Sequence, residues 1–193
     1  MRNDLRRILA HHLILSGYGF WLANDPRGSG SSEVREGKFR ELGEAHPGRR
    51  SLQPTREELR AFYEEAMPRL EFAPVWFDGG MRGRIGEMVG EVVRRRGYMV
   101  WACAVVSNHV HLCVRVHRDS YQAMWEHLAG QVRVTFQEEG VVAAGHPVWA
   151  ERPYSVYLHS REDILRTIAY VEGNPEKEGL ARQVWGFVRR YEG

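Results

Sequence analysis

The pattern of apolar and polar positions along the chain predicts four β-strands, over segments 11–22, 98–106, 109–117 and 155–158. These segments are rich in aliphatic, β-branched and aromatic residues. In the first segment the alternation is loose, and Gly17 predicts a break within it. Ser107 and Asn108 predict a tight turn between the second and third segments, so these two strands should pair as an antiparallel hairpin.

Helical periodicity, in which apolar residues recur every three or four positions, predicts four helices between and after these strands. They cover about residues 55–67, 80–97, 120–140 and 160–174. Thr55 with Glu58 and Ser160 with Asp163 make capping boxes at the starts of the first and last helix. Pro175 should end the last helix, because proline lacks an amide hydrogen and its ring clashes with the preceding turn.

The order of these elements is strand, helices, strand, strand, helix, strand, helix. Such an order, with one hairpin in the middle, indicates an α+β fold, and we expect a ferredoxin-like or RRM-like antiparallel sheet with helices on one face. The chain has 193 residues, of which 43% are hydrophobic, which is enough for a single domain over 1–193. Residues 24–80 hold a long Gly-, Ser- and charge-rich loop and a short helix, and we interpret them as an insertion after the first strand.

Positive and negative charges nearly cancel, which excludes a strongly basic coat for nucleic acid. Lys and Arg number 27 against 25 Asp and Glu, and the formal net charge is +2, so any phosphate-binding surface must be a local patch.

Cys103 and Cys113 fit neither a disulfide scaffold nor a zinc motif. No run of residues is long and apolar enough to span a membrane, and no signal peptide is recognisable. These features predict a reduced, cytoplasmic protein.

The alternation in the segment 109–117 is strict. Its core face is expected to carry Val110, Leu112, Val114 and Val116. Its other face should carry His109, His111, Cys113, Arg115 and His117. Histidines two residues apart on a strand lie side by side, roughly 7 Å apart along the chain, and their neutral imidazoles can converge on one cation. The alternative is a solvent-facing side of a half-buried strand. Histidines elsewhere, His12 among them, show no such partner pattern.

Tyr170 stands apart from the apolar stripe of the last helix. That stripe should pack inward and consists of Ile164, Leu165, Ile168 and Val171. Tyr170 lies nearly opposite and shares its face with Asn174, four residues later. An interface, a chance surface position or chemistry could each place an aromatic residue there. If this helix crosses the polar face of the histidine strand, a hydroxyl and an amide oxygen come close to a metal held by His109 and His111.

Two motifs together resemble those of a known enzyme family. Segment 106–112, VSNHVHL, resembles the His-hydrophobic-His motif of the single-tyrosine HUH transposases. Segment 170–175, YVEGNP, followed by EGL at 178–180, resembles the tyrosine helix of their REP-associated branch. Trp149 and the aromatic-rich stretch after it are also similar to that branch. The resemblance covers roughly residues 98–180 and, more loosely, the first strand, and it leaves the role of the insertion open.

This resemblance implies metal-dependent cleavage and rejoining of DNA strands. Tyr170 would attack a backbone phosphate of single-stranded DNA and leave a 5′-phosphotyrosine and a free 3′-hydroxyl. His109, His111 and Asn174 would hold Mg²⁺ or Mn²⁺, which stabilises the charge that develops on the leaving oxygen. The implied partner is single-stranded DNA with hairpin-containing repeats, and the implied active unit is a homodimer.

Residues outside these motifs are candidates for DNA contact, namely Arg115, His117, Arg118, Trp149 and Arg152. The cationic ones could contact phosphate, and Trp149 could stack on an unpaired base. The alternatives are a solvated strand end for the former and core packing for the latter.

Two other functions fit the same motifs. One is a catalytically inert protein that binds single-stranded nucleic acid on the same fold. The other is a hydrolase whose histidine-held metal activates water, with Tyr170 incidental. A covalent adduct between protein and DNA would distinguish the transposase-like enzyme from both.

Overall fold

The computed structural model describes residues 7–29, 31–34 and 37–193. The strands are β1 (Ala10–Ser16), β2 (Val100–Val105), β3 (His109–Arg115) and β4 (Tyr154–Leu158). The α-helices are α1 (Arg56–Ala66), α2 (Gly79–Arg96), α3 (Tyr121–Glu138), α4 (Arg161–Glu172) and the short α5 (Asn174–Lys177). Segments of 3-10 helix lie between β1 and α2 at Gly37–Leu42 and Met67–Arg69.

The strands form one antiparallel sheet in the order β2-β3-β1-β4. With α2 between β1 and β2, and α3 between β3 and β4, the chain follows the βαββαβ pattern. The predicted ferredoxin-like α+β fold is therefore confirmed. β1 is shorter than the predicted 11–22, because beyond Ser16 the backbone turns to pair with two loops. There Gly17 donates to the carbonyl of Asn108 at 2.7 Å, and Tyr18 donates to that of Val148 at 2.8 Å.

One face of the sheet packs against α2 and α3 and forms the main core. The predicted stripe of α2 is buried at Ile85, Met88, Val89, Val92 and Val93. The sheet contributes Leu13, Leu15, Val110, Leu112 and Val114. Val116 was expected in this core, but β3 ends at Arg115 and the Val116 side chain is 40% exposed. That part of the alternation prediction is wrong.

The opposite face of the sheet is covered by α4, over β2 and β3. Ile164 and Val171 of α4 are buried there against the small side chains of Ala102, Ala104 and Cys113. The expectation of helices on one face alone is thus corrected, since α2 and α3 pack on one face and α4 on the other. Leu165, also expected to pack inward, is 41% exposed because the buried stripe of α4 is narrow. The face of the sheet that carries His109 and His111 is consequently covered in part by α4 and only partly open to solvent.

In the segment 24–80, which we interpret as an insertion, the loop that follows β1 is joined to α1; residues 30, 35 and 36 lie outside the described residues. α1 begins at the predicted capping box, in which Thr55 Oγ1 accepts from the Glu58 amide at 3.1 Å. Asp25 is fully buried. Its carboxylate accepts two hydrogen bonds from the guanidinium group of Arg27, at 2.9 and 2.7 Å, and one from the hydroxyl of Tyr63 on α1, at 2.5 Å.

The C-terminal segment after α5 packs across α2 and along β2. The indole of Trp185 lies over Gly86 of α2. Arg189 donates its amide hydrogen to the carbonyl of Val100 at 2.8 Å, and the side-chain amide of Gln183 bonds the backbone of Val105 at 2.8 and 2.7 Å. The outer edge of β2 is thereby covered. Among the residues described, none of the helices has the length and apolar character needed to cross a membrane.

Candidate active site

Strand pairing brings three histidines to one face of the sheet. In the register of β1 and β3, Ile14 lies opposite His111 and Ser16 opposite His109, so His12 lies diagonal to His111. The Nε2 of His12 is 2.9 Å from Nδ1 of His111, and Nε2 of His109 is 2.8 Å from Nε2 of His111. His12 was missed from the sequence. Its position on β1 carries no signal until the register with β3 is known.

Hydrogen bonds set the positions of the protons on these rings. Oδ1 of Asn108 lies 2.6 Å from Nδ1 of His109, and because an amide oxygen can only accept, this Nδ1 carries the proton. The lone pair of His109 is then on Nε2, which faces His111. His111 has a partner at each ring nitrogen, since Nε2 faces His109 and Nδ1 faces His12. Because Nε2 of His109 can only accept, His111 donates to it from Nε2, and Nδ1 of His111 then accepts from Nε2 of His12.

Burial keeps all three imidazoles neutral near pH 7. Loss of hydration lowers the pKa of His109 to about 4. It also lowers the pKa of His12 to about 4, with repulsion from His109 as a second cause. The pKa of His111 is well below its usual value, first through burial and then through the charges of its neighbours. Neutral imidazole is the form that offers a lone pair to a metal ion.

Helix α4 brings Tyr170 to the histidines. The predicted capping box is present, with Ser160 Oγ accepting from the Asp163 amide at 3.1 Å. As expected, Tyr170 lies off the buried stripe, and its side chain is 46% exposed. Its ring centroid lies 5.6 Å from that of His111 and 5.7 Å from that of His12. A single chain thus brings the tyrosine and the histidines together.

Asn174 lies one turn after Tyr170, at the start of α5. Pro175 stands in the first turn of α5, where a missing amide hydrogen is tolerated. α4 itself ends at Glu172, before this proline as predicted, and the four-residue helix α5 follows it. Asn174 donates from Nδ2 to the carbonyl of Tyr170 at 3.1 Å. This bond orients the amide and leaves Oδ1 as its acceptor atom.

Two charged residues after Asn174 hold the tyrosine segment in place. Nζ of Lys177 lies 4.4 Å from the centroid of the Tyr170 ring, a distance at which a cation is attracted to the aromatic face. Glu178 accepts hydrogen bonds from the amide and hydroxyl of Ser107, at 3.1 and 2.6 Å. The contact ties the end of α5 to the turn that precedes His109.

A cavity of about 770 Å³ adjoins these residues, a size that suits a nucleotide-sized ligand. Its lining includes His12, His109, His111, Tyr170 and Asn174. Part of the wall comes from the segment after β1, with Tyr18, Phe20, Trp21 and Arg27. Arg152, which we predicted to contact DNA, also lines the cavity. Within the described part of the chain, no three His, Cys, Asp or Glu side chains are arranged to hold a metal ion.

The other residues predicted to contact DNA lie outside this cavity. Arg115, His117 and Arg118 are at the far end of β3, roughly 20 Å from His109, and their contact with DNA stays a prediction. Trp149 is only 2% exposed, and its indole donates to the carbonyl of Ala129 at 3.0 Å. Stacking of a base on Trp149 is therefore wrong, and the alternative of core packing holds.

Comparison with known proteins finds no matching family model and no matching curated protein. Among solved structures, one that is similar is a REP-associated tyrosine transposase bound to a REP hairpin. It is 13% identical over 97% of this chain and 81% of that chain, with a TM-score of 0.49. Another is a protein of Deinococcus radiodurans assigned as a transposase, 11% identical over 86% of this chain and 91% of that chain, with a TM-score of 0.45. These similarities concern the whole chain and do not identify the catalytic residues of this protein.

Proposed function

We propose that this protein cleaves and rejoins single-stranded DNA as a transposase-type enzyme, with Tyr170 as the nucleophile. The observation that carries the proposal is the position of Tyr170. It is an exposed tyrosine on a helix whose other side is buried, and its ring lies 5.6 Å from that of His111 in a shared cavity. The resemblance of segments 106–112 and 170–175 to the histidine and tyrosine motifs of HUH transposases supports the same chemistry.

In the proposed reaction, Oη of Tyr170 attacks the phosphorus of a backbone phosphodiester. A bond forms between Oη and phosphorus, and the bond from phosphorus to the 3′ oxygen breaks. The phenol proton passes to water in the open cavity, and the 3′ oxygen takes a proton from water. The products are a 5′-phosphotyrosine and a 3′-hydroxyl. Because the phosphotyrosine is still an ester, attack by a 3′-hydroxyl reverses the step and rejoins a strand without another energy source.

The side chains present fit a divalent cation, Mg²⁺ or Mn²⁺. His109 and His111 turn two neutral ring nitrogens toward each other at 2.8 Å. Asn174 lines the same cavity, and its amide oxygen would be a third donor of the kind that hard cations accept. Nitrogen ligands favour Mn²⁺ over Mg²⁺. When bound, such an ion stabilises the charge that develops on the phosphate oxygens and the leaving oxygen.

His12 has a positioning role in this proposal. When Nε2 of His111 gives its lone pair to a cation, the remaining ring proton must be on Nδ1. His12 Nε2 lies 2.9 Å from that atom and accepts the proton's hydrogen bond. Partners of this kind orient a liganding imidazole and select its tautomer.

Lys177 lies beside the nucleophile. Its ammonium group lies over the Tyr170 ring, and this contact helps to orient the ring. The charge of Lys177 also attracts a DNA phosphate toward the hydroxyl. Asn174 fixes its own side chain beside Tyr170 through its hydrogen bond to the Tyr170 carbonyl.

The proposal is tested by covalent capture. Wild-type protein incubated with Mn²⁺ and a panel of single-stranded DNA hairpins should yield a protein–DNA adduct resistant to denaturation. Tyr170→Phe should abolish adduct and cleavage while DNA binding stays within about twofold, because the substitution removes only a hydroxyl group from an exposed ring. Tyr157→Phe is the matched control, since Tyr157 is equally exposed, at 45%, and does not line the cavity.

Each rival function predicts a different outcome. Cleavage by Tyr170→Phe at the wild-type rate would identify water as the nucleophile and favour the hydrolase. Binding without any cleavage by the wild type would favour the inert protein. An adduct peptide that contains Tyr154 or Tyr157 would keep the mechanism and overturn the assignment of Tyr170.

A further inference from the structure

Trp21 stands in an unusual backbone position at the edge of the cavity. It follows β1 by five residues, its φ angle is +56°, and its side chain is 38% exposed. Bulky residues rarely adopt this left-handed conformation, and they keep it only where the surroundings enforce it. Trp21 lines the same cavity as Tyr170.

A network of hydrogen bonds around the buried Asp25 enforces the position of Trp21. Its amide hydrogen bonds the hydroxyl of Tyr63 at 3.0 Å. The guanidinium carbon of Arg27 lies 3.6 Å from the centroid of the Trp21 ring. Arg27 is itself held by the fully buried carboxylate of Asp25 and by the Tyr63 hydroxyl. One face of the indole is therefore covered by a planar group that cannot turn away.

This network does more than anchor α1 to the loop that follows β1. The Asp25–Tyr63 bond alone would join this loop to α1. The network also holds Trp21 at a positive φ angle and leaves it 38% exposed beside the cavity. A rigid aromatic surface loses little conformational freedom when a flat ligand stacks on it.

We propose that Trp21 is a stacking platform for one unpaired base of the DNA strand that Tyr170 cleaves. The inference rests on the proposed function and assigns a role to the segment 24–80, which supplies Arg27 and Tyr63. Stacking on an indole accepts any base, because every base has an aromatic face. The charge of Arg27 is matched by Asp25, so Arg27 supports the ring. Phosphates of the same strand would meet Arg49 and Arg152, which line the same cavity.

The test combines protein variants with abasic DNA. Fluorescence anisotropy is measured in the Tyr170→Phe background, so that no strand is cut, with a hairpin that carries a single-stranded thymidine tail. An abasic site is moved through the tail one position at a time. Trp21→Leu should weaken binding of the intact probe roughly 5- to 100-fold, and Trp21→Phe should weaken it less.

The decisive result is the coupling between the two changes. At one tail position, the abasic site should weaken binding by the wild-type Trp21 but not by Trp21→Leu, because the same contact is already lost. Trp76→Leu is the control, since Trp76 is 59% exposed and packs on Phe20 but does not line the cavity. Circular dichroism of each variant tests the fold, and Trp21→Phe keeps the test valid if Trp21→Leu fails to fold.

Two negative results are distinguishable. Suppose that protein with Trp21 binds the probe, and that the affinity losses caused by Trp21→Leu and by the abasic site are additive at every tail position. The stacking role of Trp21 is then overturned, and the proposed function stands. If protein with Trp21 binds no hairpin probe at all, the proposed function is overturned together with the platform.

Discussion

Nε2 of His12 lies 2.9 Å from Nδ1 of His111, although 99 positions separate the two residues in the chain. A single hydrogen occupies such a contact, so the tautomer of one ring determines that of the other. His12 approaches the side of His111 that faces away from His109, because His109 contacts the other ring nitrogen. This geometry favours a positioning role for His12 over a role as a metal ligand.

The first prediction follows from this contact. His12→Phe keeps a ring but cannot accept a hydrogen bond, and it should weaken Mn²⁺ binding roughly 10- to 100-fold, as loss of such partners does in other metal sites. His12→Gln can accept the bond through its amide oxygen and should recover most of the affinity. Isothermal titration with Mn²⁺ measures both. Equal affinity for Mn²⁺ in His12→Phe and the wild type would contradict the role of His12.

The control for this prediction is a histidine outside the site. His117 lies beyond the far end of β3 and packs against Tyr98, so His117→Phe should leave Mn²⁺ affinity unchanged. Nitrogen-15 spectra of the protein loaded with Zn²⁺ would report the tautomer of His111 directly. In the wild type we expect the proton on Nδ1.

Local sequence patterns predicted much of the fold, because they report burial. The α2 stripe, the capping boxes at Thr55 and Ser160, and the alternation of β3 each depend on contacts within a few residues. The proximity of His109 and His111 could be predicted for the same reason, because residues two positions apart on a strand point to the same face of the sheet. Tyr170 could be singled out because it departs from the stripe of its own helix.

Features that depend on distant pairing could not be predicted from such patterns. His12 joins the site only through the register of β1 with β3, and no periodicity in β1 encodes that register. Trp149 reads as an exposed aromatic or a core residue equally well until its surroundings are known. The packing of α4 on the histidine face depends on the small side chains of Ala102 and Ala104, which belong to a different strand.

The second prediction concerns Lys177. Its ammonium group lies 4.4 Å from the centre of the Tyr170 ring, and a contact of this kind is worth roughly 0.5–1 kcal/mol at an exposed site. Lys177→Met removes a contact that orients the Tyr170 ring and a charge that attracts the phosphate, so it should slow adduct formation roughly two- to fivefold, while Lys177→Arg should retain most of the rate. Single-turnover gel assays measure this rate. Arg190→Met removes an exposed charge elsewhere and should have no effect; a loss as large as that of Lys177→Met would point to general electrostatic attraction instead.

The third prediction compares two glycines of helix α2, Gly83 and Gly86. A Cβ at Gly86 would lie 2.0 Å from a ring carbon of Trp185, whereas a Cβ at Gly83 meets no atom within 4 Å. Gly86→Ala should lower the free energy of unfolding by about 1–3 kcal/mol through overpacking. Gly83→Ala should raise it by up to about 1 kcal/mol, because alanine favours the helix. Thermal and urea unfolding measure both; equal stability of the two variants would mean that Trp185 is not packed on α2.

The last prediction concerns the homodimer. β2 is covered along its outer edge by the C-terminal segment, whereas β4 lies at the other edge of the sheet with Val156 and Tyr157 41% and 45% exposed. Exposed apolar edge strands tend to pair with another chain, so we predict that two copies meet along β4. Light scattering of the wild type should give a mass near twice 22.3 kDa.

Tyr157→Lys should shift this mass to that of the monomer, because a charge on an edge strand opposes pairing. Val184→Lys, on the C-terminal segment and 87% exposed, should stay dimeric; the reverse pattern would move the interface to the β2 side, and a wild-type monomer at micromolar concentration would contradict the dimer altogether.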